Sequence, residues 1–289
     1  MDQMSGSETK QTRRCFLFAA YCQNNRVDDF DLYHLKKLAA LGDVFFFVDA
    51  SDFPESELAR VRPYVQIAAF EAHREYDFGS WKRLISMIGF DKLSQYDEIV
   101  TVNNSLILVG DLESYLKAFE LSRASFGAAM LLDENYDGPV VHLSDYIESH
   151  DVQISSAMFP SCFWIMKREL FFKPFVKNFF SSVKPEADRL EVCYRYERGF
   201  SRSILRHAVK YQVFIDRVFK FSSVYTSDAF KLVDLGLPYI KKKLFTQYYY
   251  PIDHLDARIT RLTKNVSSEV ASALKKQFAK VQSETKGVL

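Results

Sequence analysis

Tyr76-Asp77-Phe78-Gly79-Ser80-Trp81-Lys82, followed by Tyr96-Asp97-Glu98-Ile99-Val100-Thr101-Val102-Asn103-Asn104-Ser105, is the stretch on which the reading of this chain turns. In the second segment an apolar run stops abruptly at three small hydrogen-bonding side chains. A buried strand delivers polar groups to the carboxyl edge of a sheet in this way, and open α/β folds bind ligands at that edge. In the first segment Gly79 allows a tight turn and a close backbone approach, ahead of a helix expected from Trp81 whose free N–H groups are available to a phosphate. Asp77, between Tyr76 and Phe78, either serves the site, because an acid among aromatics needs a partner, or caps the following helix.

Working outward, residues 15–22 form an apolar run of strand length and 23–31 a polar loop, and Leu32, Leu35, Leu38 and Leu41 mark a helix that Gly42 ends. A second strand is expected at 43–50, a short helix at 55–64 and a third strand at 65–70. This βαβαβ rhythm calls for a parallel sheet covered on both faces. Further on, the pattern predicts helices at 81–89 and 112–121 and strands at 98–102 and 127–132. The polar, turn-rich segment 133–157 is expected to loop over the site. A strand at 162–166, helices at 170–180, 185–194 and 201–209, and a late strand at 211–218 follow. The expected class is α/β, with a central, mostly parallel sheet flanked by helices.

The chain has 289 residues, 48% hydrophobic and 15% aromatic, enough for a sizeable core in one large domain or a domain with an appendage. Its 38 basic and 37 acidic residues nearly cancel, so no global field draws in nucleic acid, and an anionic partner must meet a local patch. Cys15, Cys22, Cys162 and Cys193 are widely spaced without a Cys-x-x-Cys pair and read as reduced thiols of a cytoplasmic protein. Residues 1–14 are polar, without the apolar core of a secretory signal, and are expected to form a flexible tail. No window approaches the ~20 apolar residues of a bilayer-spanning helix; Asp43 and Asp49 bound even the Phe-rich run at 44–48.

Near the carboxyl terminus the character changes. Lys241-Lys242-Lys243 precedes Leu244, Phe245, Tyr248, Tyr249 and Tyr250. Leu255, Ile259, Leu262, Val266, Val270, Leu274, Phe278 and Val281 then recur every three or four residues. The spacing predicts one uninterrupted amphipathic helix within 251–289, flanked by Arg258, Arg261, Lys264, Lys275, Lys276 and Lys280. Its stripe needs a cover: the chain's own body, the same helix of a second subunit in a homodimer, or an anionic membrane surface.

The two opening segments resemble the rhamnan synthesis protein F family of glycosyltransferases, whose pattern reads approximately Gly-Tyr-Asp-Phe-Gly-x-Trp-Lys, then Tyr-Asp-x-Ile-x-x-x-Asn-Asp-Ser. Three later segments resemble its landmarks in the same order. Ser161-Cys162-Phe163-Trp164-Ile165-Met166-Lys167 looks like its Ser-Tyr-Phe strand. Tyr196-Glu197-Arg198-Gly199-Phe200-Ser201 looks like its Tyr-Glu-x-Gly segment, and Gly236-Leu237-Pro238-Tyr239-Ile240-Lys241 like its Gly-x-Pro-Phe-Ile-Lys. The resemblance spans roughly 16–247 and implies a GT-A-like glycosyltransferase domain over 15–250, between the 1–14 tail and the 251–289 helix.

The implied activity moves a sugar, rhamnose or another hexose, from a nucleotide-diphosphate donor to a growing, lipid-linked or free bacterial surface polysaccharide at the cytoplasmic face, with inversion expected. Donor binding is expected from Tyr21, stacking on a base or else packing in the core, and from Asp49, His73, Asp77, Gly79, Lys82, Asn103, Asn104 and Ser105. GT-A enzymes often hold a divalent cation, Mg or Mn, with an Asp-x-Asp motif. Here Asn104 stands where the family has Asp, so the counter-charge is expected from Lys82, Arg74 or a helix N-terminus, or the chain is catalytically weakened. His73 and Glu75 replace a family Asn and Gly. Glu197, placed near the start of the helix from Ser201, is the expected base, with Glu191, Asp188 and Asp145 behind it, and Ser161 and Trp164 are expected to line the acceptor side. The competing readings are a non-catalytic glycan- or nucleotide-binding module and an assembly subunit of a synthase complex.

Overall fold

The computed structural model describes residues 11–150, 156–245 and 252–275. In order, its strands are β1 (Arg14–Ala20), β2 (Asp43–Val48), β3 (Ile67–Phe70), β4 (Glu98–Asn103), β5 (Leu106–Leu108), β6 (Phe126–Ala128), β7 (Leu131–Asp133), β8 (Ala157–Met158), β9 (Phe163–Lys167), β10 (Tyr211–Val213), β11 (Val218–Lys220) and β12 (Tyr239–Lys241). The main sheet has the order β10-β6-β9-β4-β1-β2-β3, and β9 runs against both of its neighbours while the other pairings are parallel. The architecture is the expected α/β class, a mostly parallel central sheet flanked by helices.

Alternation along β1 builds both faces of the core. Cys15, Leu17 and Ala19 join one cluster with Trp81, Leu84 and Trp164, and Phe16, Phe18 and Ala20 join the other with Leu35, Leu38 and Leu116. Helix α3 (Tyr76–Ile88) therefore covers one face. Helices α1 (Asp29–Ala39), α2 (Glu55–Val61) and a helix at Leu112–Leu121 cover the other. Each fully buried Phe or Leu of these layers contributes roughly 1.5–3 kcal/mol of transfer free energy.

Several local expectations differ from what is observed. The strands expected at 127–132 and 211–218 each split in two. Their second halves, β7 and β11, leave the main sheet and pair in parallel in a smaller one. The helix at 170–180 divides into Arg168–Phe171 and Pro174–Ser181, because Pro174 opens a new first turn. The helices expected at 185–194 and 201–209 join through a π-helical stretch, Cys193–Arg198, into one run from Arg189 to Arg206. The loop expected at 133–157 contains a helix, Leu143–Ser149.

The single carboxyl-terminal helix is also interrupted. Leu255–Asn265 ends where Val266 turns extended, and Ser267 Oγ accepts the Val270 N–H at 3.3 Å, starting a second helix over 268–275. A serine that bonds to the backbone three residues on favours a cap over a helix interior. Ile252, Leu255, Ile259, Leu262, Val270 and Leu274 pack on Ile107, Val109, Phe230 and Ile240, so the chain's own body covers the described part of the stripe. Residues 1–10 of the expected tail, residues 151–155 of the expected loop, Tyr248 to Tyr250, and Phe278 and Val281 lie outside the described residues. Among the described residues no helix is long and apolar enough to cross a membrane.

Candidate active site

The parallel strands β1, β2 and β4 end side by side, and the antiparallel β9 begins where β4 ends, since Val102 pairs with Phe163 and the Asn103 N–H donates to the Cys162 carbonyl at 3.3 Å. Tyr21, Asp49, Asn103 and Ser161 are thereby brought to one edge of the sheet. β5 follows β4 directly and pairs antiparallel with β12, which sets Lys241 against Leu106.

Asn103 is the hub. Only 3% exposed, it donates from Nδ2 to Asp77 Oδ2 at 2.7 Å, and its Oδ1 accepts from the Ser105 N–H at 3.2 Å and the Ser105 hydroxyl at 2.6 Å. Ser105 Oγ in turn accepts from Lys241 Nζ at 3.0 Å. Asp77 thus faces the site and does not cap α3, which starts at Tyr76 without a side-chain cap. Burial is the main force raising its carboxyl to about 6, against the lowering pull of Lys241 and the Asn103 hydrogen bond, with Glu197 adding to the rise. An acid held near neutrality is characteristic of functional sites.

Glu197 sits inside the π-helical stretch rather than at a helix start. Its Oε1 accepts the Ser161 N–H at 2.5 Å and its Oε2 accepts from Cys193 Sγ at 3.2 Å. The wider π turn, a feature concentrated at functional sites, aims Glu197 at the β9 entry that Asn103 also contacts. Burial and the Glu197 charge push the Cys193 thiol up to about 12, so it stays a neutral donor. No disulfide forms among Cys15, Cys22, Cys162 and Cys193.

Asn104 points the other way. Its Oδ1 accepts the Tyr21 N–H at 3.1 Å, and its Nδ2 donates to the Tyr21 carbonyl and to Asp31 Oδ2, both at 3.0 Å. The expected donor-binding amide is therefore a clasp for the β1 loop. With its backbone fixed, the Tyr21 ring stands 71% exposed, which rules out core packing for it. Asp49 Oδ1 accepts the His73 N–H at 3.0 Å and anchors the β3–α3 loop.

Four expected contributors do not face the site. Lys82 Nζ donates to the Val183 carbonyl at 2.6 Å. The fully buried His73 ring accepts the Glu75 N–H on Nδ1 at 3.1 Å and meets Ser80 Oγ through Nε2 at 3.1 Å, so it braces the loop, and burial lowers its pKa. Gly79 lies within α3 rather than in a turn before it. A Cβ there would stand 2.3 Å from Glu75 Cβ and 2.6 Å from His73 Nδ1. Trp164 is fully buried, stacked on Phe200 at 4.7 Å with Nε1 donating to the Phe159 carbonyl, because its position in β9 points into the core. Two left-handed residues, Arg74 (φ 57) and Tyr76 (φ 55), bend the loop between these groups, a strain that gathers at ligand sites. Arg74 is exposed on that loop.

Lys241 is the residue that sequence reasoning passed over. The signal was present: Tyr239-Ile240-Lys241 is an apolar strand ending in a charge, the same pattern that singled out β4. Burial alone would lower its pKa, but Cys162, Tyr225, Glu197 and Asp77 hold it up to about 12.

A divalent cation does not fit these residues. The amide oxygens of Asn103 and Asn104 are already accepting hydrogen bonds, and the ammonium of Lys241 occupies Ser105 Oγ. Among the described residues no three His, Cys, Asp or Glu side chains are grouped to hold a metal.

The profile of the rhamnan synthesis protein F family matches residues 45–278. The chain belongs to that family. The matched span includes Asp77, Asn103, Ser105, Glu197 and Lys241. Among solved structures, a putative nucleotide-diphospho-sugar transferase from Desulfovibrio desulfuricans G20 is similar at 13% identity and a TM-score of 0.46, covering 94% of this chain and 98% of that one. The apo glycosyltransferase GlyE of Streptococcus pneumoniae TIGR4 is similar at 11% identity and a TM-score of 0.45, covering 93% of this chain. The chain spans 64% of the length of GlyE. No curated protein matches the sequence significantly.

Proposed function

We propose that this rhamnan synthesis family chain is a glycosyltransferase that moves rhamnose or another hexose from a nucleotide-diphosphate donor to a growing bacterial surface polysaccharide. The observation that carries the reading is the convergence of Asp77, Asn103, Ser105 and Glu197 where β4 ends and β9 begins. In this reading the exposed Tyr21 ring stacks on the base, and Asp77 and Asn103 hold the sugar or its phosphate. Glu197 takes the proton of the attacking acceptor hydroxyl. The new bond forms at the anomeric carbon as the bond to the nucleoside diphosphate breaks, with inversion. The Ser161 N–H and the Cys193 thiol orient that carboxylate. Contact with anionic lipid would use the exposed Arg261, Lys264 and Lys275, since the apolar stripe is already covered.

The second reading, a non-catalytic binding module, is favoured by the two hydrogen bonds already satisfying Glu197 and by the Asn104 clasp. Transfer assays with nucleotide sugars, on wild type and Glu197→Gln, separate the two. Loss of about 100-fold or more of turnover with nucleotide binding retained supports the enzyme. Nucleotide binding by a wild type that turns over no donor supports the module.

A further inference from the structure

We propose that Lys241 is the group that neutralises the departing diphosphate, replacing a divalent cation in this site. The inference rests on the glycosyltransferase reading and names how that site meets an anion.

The first support is placement. β12 pairs with β5, and the Lys242 N–H donates to the Ser105 carbonyl at 2.9 Å, so the backbone on both sides of Lys241 is tied to the segment that follows Asn103. The side chain is held rather than free to wander, and Nζ meets Ser105 Oγ at 3.0 Å. The second support is unspent capacity. An ammonium has three donors, and among the described residues Lys241 uses one, on Ser105, with no carboxylate within 4.0 Å of Nζ. Its neighbour Lys242 is the opposite case, paired with two carboxylates, Asp28 at 2.5 Å and Asp31 at 2.7 Å. A half-buried ammonium with donors to spare gains from an anion, and an arriving phosphate oxygen supplies one in a charge-assisted bond.

The third support is exclusion. The Asn103 amide oxygen already accepts two hydrogen bonds, and the ammonium on Ser105 Oγ repels a metal ion from the same spot. The carboxylates nearby do oppose an anion. Asp77 keeps Oδ2 on the Asn103 amide, and Glu197 keeps its oxygens on Ser161 and Cys193.

The test is calorimetric binding of UDP, GDP and dTDP, in EDTA and then in Mg²⁺ or Mn²⁺, to wild type, Lys241→Met and Lys241→Arg, with thermal melts of each variant. Wild type is expected to bind one of these equally well with and without metal. Lys241→Met should bind it at least about tenfold more weakly, ~1.4 kcal/mol, with Lys241→Arg recovering part of the loss. Affinity that rises more than about tenfold with metal, or a folded Lys241→Met that binds like wild type, overturns the inference; nucleotide-sugar turnover in the same preparation leaves the enzyme reading standing. If Lys241→Met does not fold, the metal comparison on wild type and the retained binding of Lys241→Arg decide. Binding of none of the three by wild type overturns the inference and the donor-site reading together.

Discussion

Asn103 and Asp77, 26 residues apart, meet through a 2.7 Å hydrogen bond from Nδ2 to Oδ2 that joins the end of β4 to the first turn of α3. The two opening segments of the sequence therefore meet at one place, the candidate site. The neighbour of Asn103, Asn104, in the turn that follows β4, is held elsewhere, on the Tyr21 backbone and Asp31.

Asp77→Asn separates stability from function. The carboxyl is raised from 3.8 to about 6, so the folded state binds the proton more tightly than the unfolded chain. The resulting stability is full below the unfolded pKa and is lost as pH rises through about 6. An isosteric amide escapes that loss. The variant should melt at or above wild type at pH 7.5, with a smaller advantage at pH 4.5, yet lose nucleotide-sugar turnover. Lower stability than wild type at pH 7.5 would contradict this account.

Asn104→Asp restores the family's acid but not a metal site. Its second oxygen would face the Tyr21 carbonyl and the Asp31 carboxylate, where Nδ2 now donates at 3.0 Å. Unpairing such groups costs about 1–3 kcal/mol. Burial raises Asp31 to about 7, so the penalty should be largest at pH 8 and relax toward pH 6 as a proton is taken up. Urea unfolding at both pH values measures it, and an unchanged midpoint at pH 8 would refute the clasp.

Gly79→Ala should destabilise the protein even though alanine favours helices by about 1 kcal/mol over glycine. The added methyl would overlap Glu75 Cβ at 2.3 Å and His73 Nδ1 at 2.6 Å, forcing the β3–α3 loop away from α3. A net loss of about 1–3 kcal/mol is expected by thermal or urea unfolding, as for other overpacked sites. A stabilised variant would show that the loop yields without cost.

His34 governs part of the acid response. Buried against Phe18 and Tyr239, with neither ring nitrogen hydrogen-bonded among the described residues, it is lowered from 6.5 to about 3, chiefly by burial and further by the Lys242 charge. The unfolded chain therefore takes up the proton first. The His34 contribution is full above pH 6.5 and is lost as pH falls toward about 3, by up to ~1.4 kcal/mol per pH unit. His34→Leu removes this slope, so its stability relative to wild type should improve between pH 7 and pH 5. Equal differences at the two pH values would count against it.

Deleting residues from 252 onward should expose Ile107, Val109 and Ile240 and lower the melting temperature, rather than only releasing a partner. A truncated chain that melts like the full one would show that these helices are dispensable to the body.

The sequence by itself determined the leading parallel strands of the central sheet and the edge that carries the candidate site. Apolar runs such as 98–102 that end in small polar residues have one stable solution, a buried strand whose tip reaches solvent, and that constraint is local. The ordered family landmarks located the same edge. Tertiary structure alone decided which polar side chains there are still available. Asn104 is spent on Tyr21 across 83 residues, Ser105 meets Lys241 across 136, and Lys82 is spent on Val183 across 101. Helix and strand periodicity tells which face a residue occupies, but a hydrogen bond is claimed by whichever donor the fold brings within about 3 Å, and no spacing in the chain encodes that partner.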